Sequence, residues 1–256
     1  MFNRQRWNAG RFHETLASLA DVTAGKTVLD LGCGRGASLG HLLNAVQDSG
    51  KVVGFDQLSH SFIEVERQYP NDTRSGRLIL RSGNALDLPF SENTFDAVLC
   101  QNVVECVHDR HTLVLQAKRV LKPGGILLLG HHDFDGIMIA GSERGLTRRL
   151  VQGYANQQQE WQEACEGQMG RLLPGLVAGE DFETIEIETK IFTDLDLSEA
   201  SYARTYVAGV VALAPTFGIG QDEAQRWAQE LTHAAVRGQF FFALPWVAAI
   251  CRKARV

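Results

Sequence analysis

Asp30, Gly32, Gly34, Gly36 and Asp56 are the residues whose types and spacing point first to chemistry. Glycines at alternate positions open backbone N–H groups to a ligand, because no Cβ stands in the way. A phosphate loop of the G-x-x-x-x-G-K-[ST] kind is excluded, since no Gly-Lys-Ser/Thr follows the glycines. A dinucleotide is harder to dismiss. Gly32, Gly34 and Ala37 satisfy G-x-G-x-x-[GA], and Asp56 lies twenty residues beyond Gly36, where an acid for ribose hydroxyls would sit. Asp30 separates the ligands: two positions before the first glycine, its carboxylate would repel a pyrophosphate in a partly desolvated site and attract a cation. S-adenosylmethionine meets both demands. Its ribose needs an acid such as Asp56, it carries no phosphate, and its methionine end bears an ammonium and a sulfonium.

A second group is His131 and His132, followed by Asp133. Histidine titrates near neutrality and can take a proton from a phenol, an amine or an acidic carbon, so His131 and His132 are the candidate bases. Consecutive side chains on extended backbone point to opposite faces, which argues against both holding one ion, and no metal site is expected. His108 and His111 flank Asp109 and are expected at the surface.

The elements that must position these residues can be read from periodicity. From Lys26, short β-like runs alternate with helical patterns, as in a parallel sheet covered on both faces by helices. "KTVLDL", "KVVGFD", "RLILRS", "FDAVLCQ" and "ILLLG" read as five successive strands. Leu39, Leu42, Leu43 and Val46 repeat at i, i+3, i+4, i+7 and predict a helix with one buried stripe. A second helix is expected from about Ser61 to Gln68, with Pro70 helping to end it. Asp109 reads as the N-cap of a third, carrying Leu113, Ala117, Val120 and Leu121, which "KPGG" stops. Phe95 is expected in the core and Asp96 in a structural role.

Later, helical patterns run from about Glu143 to Glu166, Ser198 to Leu213 and Asp222 to Val236. Between them "TIEIETKIF" alternates, with Ile185, Ile187 and Ile191 on one face, which suits an edge strand with one wet side. "FFFALPWVAAIC" is apolar on both faces and is expected inside the sheet, although Pro245 there implies a bulge.

Composition excludes several classes. Of 256 residues, 45% are hydrophobic and 21% charged, and the net charge of −5 has no long run of one sign, so no nucleic-acid or membrane surface is advertised. The five cysteines, Cys33, Cys100, Cys106, Cys165 and Cys251, are scattered and form no C-x-x-C pair, which suits a reducing cytoplasm. The N-terminus lacks the apolar core of a signal peptide, and no stretch reaches the ~20 apolar residues of a membrane span. A soluble, cytoplasmic protein is expected.

The same residues resemble the class I S-adenosylmethionine-dependent methyltransferases, and within them the ubiquinone/menaquinone methyltransferase-like group, which acts mostly on small molecules. "VLDLGCGRG" is similar to the family's first motif and "GFD" to its second-strand acid. "GNALDLPFSENTFDAVLCQ" is similar to its third and fourth strand region, and "RVLKPGGILLL" to its turn and fifth strand. The resemblance covers roughly Val22 to His132. It implies an α/β, Rossmann-like sheet of seven strands with helices on both faces, the last strand antiparallel between the fifth and sixth, and helical insertions forming a lid.

The resemblance also implies that Gly32, Cys33, Gly34 and Gly36 line the methionine part of S-adenosylmethionine, with Asp30 beneath it and Asp56 on both ribose hydroxyls. Gln57 stands where the family usually packs an apolar residue on the adenine, and Leu58 follows it. Asn84 stands where Asp is commoner; its carbonyl would accept from the adenine amino group. Ala85 would offer its N–H to the ring, and Gln101 would lie near the sulfonium. The implied activity is methyl transfer to an O, N, S or acidic C nucleophile of a small molecule.

Two alternatives stay open. An NAD-linked oxidoreductase is disfavoured by Asp30 and "VLKPGG", and a non-catalytic binding module by the intact Gly32 to Gly36 loop. The whole chain reads as one domain: an N-terminal helical segment 1–21, a cofactor-binding core 22–135, helical cap insertions 136–182 and 198–238, and last strands 183–192 and 240–252. Trp7, Phe12 and His13 would fold over the cofactor mouth or form an amphipathic helix on the core. Some of Tyr154, Trp161, Tyr202, Tyr206 and Phe217 would line an apolar substrate pocket.

Overall fold

The computed structural model describes residues 9–158, 162–163 and 167–255; Trp7, Trp161 and Cys165 lie outside the described residues. The chain divides into two compact units. The larger takes Ala9–His131, Leu172–Glu188 and the described residues from Ala248 onward; the smaller takes His132–Arg171 and Thr189–Val247.

The larger unit begins with α1 (Ala9–Leu19), β1 (Thr27–Leu31), α2 (Leu39–Val46), β2 (Lys51–Asp56), α3 (Phe62–Gln68) and α4 (Pro70–Ser75). It continues with β3 (Leu78–Ser82), β4 (Phe95–Gln101), α5 (Arg110–Val120) and β5 (Leu121–His132), whose last residue opens the smaller unit. The strand order is β3-β2-β1-β4-β5, with parallel pairing throughout. Val28, Leu29, Leu31, Val98, Leu99 and Leu128 are all at or below 1% exposure, as expected of strands covered on both faces.

Local chemistry explains most boundaries. The expected stripe Leu39, Leu42, Leu43 and Val46 is the buried face of α2. Asp109 caps α5 by accepting from Thr112 N at 2.9 Å. Pro70 does more than end α3: it opens α4 at a position where its missing N–H costs nothing. α5 ends at Val120, just before "KPGG", and that stretch is itself part of β5. Phe95 pairs with Leu121 and Ala97 with Ile126, so β5 starts five residues earlier than its apolar run and absorbs the extra residues between as an irregularity. Asp96 fastens this irregularity, accepting from Thr27 N and Lys122 Nζ at 2.8 Å each. α1 lies against α2, with Phe12, Leu16, Ala17 and Ala20 buried, so the packed amphipathic helix describes Phe12.

The smaller unit holds β6 (Met138–Ala140), α6 (Arg144–Ala155), α8 (Tyr202–Leu213) and α9 (Gln221–Val236). α7 (Met169–Val177), β7 (Phe182–Asp194) and β8 (Phe241–Lys253) contribute residues to both units. The helix expected to reach Glu166 ends at Ala155, and residues 159–161 and 164–166 lie outside the described ones. β8 follows β5 in the strand order, runs antiparallel to β6, and pairs with β7. The short β6 brings the strands to eight where seven are expected.

Pro245 sits in β8 without an N–H to give, and its carbonyl accepts from Asp133 N at 2.9 Å. It stands opposite the interruption between β5 and β6, where the neighbouring chain has left the ladder. β7 departs from expectation in its facing. Ile185, Ile187 and Ile191 do share one face, but that face is exposed, at 40%, 46% and 48%. Phe192, on the other face, is the buried residue.

Within the smaller unit, Trp227 is fully buried and its Nε1–H donates to Thr147 Oγ1 at 3.0 Å. Trp227→Phe removes this bond and leaves a small void, while the threonine hydroxyl keeps its bond to Glu143 O, so a loss of about 1–2 kcal/mol is expected from urea unfolding.

Candidate cofactor and active site

The glycine loop leaves the end of β1 and turns at once. Gly32, Gly34 and Gly36 have φ of +80°, +52° and +81°. They are glycine for different reasons. A Cβ at Gly32 would lie 2.1 Å from Val103 Cγ2, and one at Gly36 would lie 3.0 Å from both Leu39 and Val65. One at Gly34 would meet no atom within 4 Å. Gly32 and Gly36 thus serve packing, and Gly34 is the position that presents bare backbone to open space.

The two carboxylates frame this loop. Asp56, at the end of β2, accepts from Gly34 N with Oδ2 at 2.8 Å and from Leu58 N with Oδ1 at 2.9 Å. Ser61 Oγ donates to Gly34 O at 3.0 Å, so β2 and the turn after it hold the loop's centre from two sides. Asp30 is buried in β1, and burial pushes its carboxyl up to about 6; Asp56 adds to the rise, while a hydrogen bond from Ser38 Oγ opposes it. Ser38 was not legible as a site residue because it sits at the N-cap of α2, where serine is ordinary. Its side chain makes no cap bond and serves Asp30 instead. Burial pushes the Cys33 thiol up, helped by Asp30 and Asp56, which leaves it unreactive.

Asn84 lies in the loop after β3, exposed, with Oδ1 accepting from Leu86 N at 2.9 Å. Ala85 beside it is half-buried. Gln57 and Leu58 are exposed after β2. Gln101 ends β4 and its Nε2 donates to Asn102 Oδ1 at 2.9 Å.

The three polar residues expected as one cluster at the end of β5 separate. His131 is fully buried in the larger unit, its Nε2 3.5 Å from Glu105 Oε2, itself buried in the turn after β4. Asp30, Leu99 and Leu128 are in register across β1, β4 and β5, so His131, three residues on, faces away from the Asp30 side. His132, in the smaller unit, lies among the rings of Phe134, Phe192 and Tyr202 at 5.8, 5.3 and 5.9 Å. Asp133 is structural: it accepts from Gly136 N at 2.9 Å and Arg171 Nε at 2.8 Å, with Arg171 Nη2 on the other oxygen. Glu105 and Arg171 gave no signal in sequence, because each is paired with its partner only by the fold. His108 and His111 are exposed, and His111 Nε2 lies 2.7 Å from Glu180.

Residues 29–129 match the family described as "Methyltransferase domain". This stretch of the chain is similar to a methyltransferase domain. Its relatives include an uncharacterized 37.1 kDa protein in transposon TN4556 of Streptomyces fradiae, 29% identical over 92% of this chain and 65% of that protein. A demethylmenaquinone methyltransferase of Oceanobacillus iheyensis is 39% identical over 41% of this chain and 44% of that protein. The chain thus spans less than two thirds of these relatives.

Among solved structures, the [4+2]-cyclase SpnF superposes with a TM-score of 0.59 at 18% identity, over 99% of this chain and 84% of that one. A geranyl diphosphate methyltransferase in complex with SAM gives 0.55 at 16%, over 96% and 85%. These likenesses concern the fold. The matched stretch contains Asp30, the glycine loop, Asp56, Asn84, Ala85 and Gln101, and stops before His131 and His132.

Proposed function

We propose that this chain transfers a methyl group from S-adenosylmethionine to an O, N, S or acidic C nucleophile of a small organic molecule. The observation that carries the reading is Asp30: a buried carboxyl, lifted by desolvation, whose partner is the Ser38 hydroxyl and not a cation. Such a group is completed by a positive ligand and penalises a phosphate. Gly34, with open space above its Cα, and Asp56, at the end of β2, fit the remaining demands of close backbone approach and a ribose acid.

When bound, S-adenosylmethionine supplies a methyl group already electrophilic at its sulfonium. The chain's own residues bind and align. Asp30 balances the positive end, Gly34 lets the methionine part approach the backbone closely, and Asp56 takes the ribose hydroxyls. Asn84 and Ala85 address the adenine, and Gln101 the sulfonium. Alignment in a dry site is the main contribution, with a base needed only when the acceptor arrives protonated. His131, beside Glu105, and His132, among aromatic rings, are the candidates for that base.

Calorimetric titration with S-adenosylhomocysteine and with NADH tests the cofactor, and incubation with labelled S-adenosylmethionine and a metabolite extract tests the transfer. Binding of S-adenosylhomocysteine alone and one or more metabolites gaining the labelled methyl are expected. NADH binding in its place overturns the reading.

A further inference from the structure

In the smaller unit six aromatic rings form a closed circuit. His132 neighbours Phe134 at 5.8 Å between ring centres, Phe134 neighbours Tyr154 at 6.3 Å, and Tyr154 neighbours Tyr206 at 4.9 Å. Tyr206 neighbours Phe242 at 5.5 Å, Phe242 neighbours Tyr202 at 6.2 Å, and Tyr202 returns to His132 at 5.9 Å in a stacked pair. The circuit draws on the end of β5, the turn after it, α6, α8 and β8, so it is built by the tertiary fold and not by one amphipathic helix.

One member has no structural reason to be polar. Tyr206 is 2% exposed, and its hydroxyl has no hydrogen-bond partner among the described residues. A buried hydroxyl left unpaired is costly, and phenylalanine would fill the same space without that cost. Tyr202 is 39% exposed, which gives the circuit one side open to solvent. The adjacent acid, Asp133, is already held by Arg171, so the circuit brings no uncommitted carboxylate for an ammonium group.

We propose that this circuit binds a neutral, planar aromatic molecule bearing an oxygen, with the rings stacking on its faces and the Tyr206 hydroxyl donating to the oxygen. Burial and the neighbouring Tyr154 and Tyr202 hold the Tyr206 phenol well above its usual range, so it stays a donor at neutral pH.

Equilibrium dialysis of the full chain against 2-naphthol, naphthalene, cyclohexanol and tetramethylammonium tests the site without cofactor. Wild type should hold 2-naphthol more tightly than cyclohexanol or tetramethylammonium. Tyr206→Phe should weaken 2-naphthol roughly tenfold, the worth of one buried hydrogen bond, and leave naphthalene unchanged. The same variant should melt roughly 2–4 °C above wild type, because it removes an unpaired buried hydroxyl. Equal losses for both naphthyl probes, no loss for either, tighter binding of tetramethylammonium or cyclohexanol, or a lower melting temperature each overturn the proposal. A parallel titration with S-adenosylhomocysteine separates the two readings: its failure with 2-naphthol still bound ends the methyl-transfer assignment and leaves the aromatic site standing.

Discussion

Asp56→Ala should weaken S-adenosylhomocysteine binding by at least about a hundredfold, to the limit of calorimetric detection. Two charge-assisted hydrogen bonds to ribose hydroxyls are each worth roughly 1.5–3 kcal/mol, and both vanish together. The loss also reaches the loop, because Asp56 accepts from Gly34 N and Leu58 N and so fixes the turn that presents the open glycine. Asp56→Asn separates the contributions, since its one carbonyl oxygen can keep one of these bonds. An alanine variant that binds as tightly as wild type would falsify the assignment of the ribose site.

Asp30→Asn should make the unliganded chain more stable and the liganded chain weaker. The Asp30 carboxyl is lifted by burial to about 6 from an ordinary 3.8. The folded chain therefore binds this proton more tightly than the unfolded chain does. The stability contributed by Asp30 is full below about pH 4, falls as pH rises through about 6, and stays lower above that. At pH 7 to 8 the ionised group costs roughly 1–3 kcal/mol, which the asparagine removes in urea titrations.

Affinity for the cationic cofactor runs the opposite way. It should rise about tenfold per pH unit below 6 and level off above, and the variant should lose both the affinity and the slope. A wild-type binding curve flat from pH 5 to 8 would show that no cation meets Asp30.

The sheet was legible because its signals are local. Ala97 to Cys100 are apolar without interruption and Val28 to Leu31 are broken only by Asp30, and such short runs leave little choice but a strand buried on both faces. The glycine loop was legible because its spacing directly after an apolar run is a local signal, whereas the contact that requires glycine at 32, with Val103, comes only from the fold. The end of β5 was not. "HHD" reads as one polar loop, yet its three residues go to Glu105, to an aromatic circuit that includes the distant Tyr202, and to Arg171. No window of sequence brings them together. β7 was read in type and not in facing, since alternation gives the period and leaves open which set of side chains is covered.

That facing has a chemical cost. β7 presents three isoleucines to solvent on a strand whose described ladder partner is β8, the kind of surface on which identical chains add to one another. Glu186, Glu188 and Lys190 alternate with them along the same strand, and Glu183 precedes them on their own face. These charges interrupt an otherwise apolar ribbon, so the strand's resistance to pairing with a second copy is held by electrostatics in place of cover.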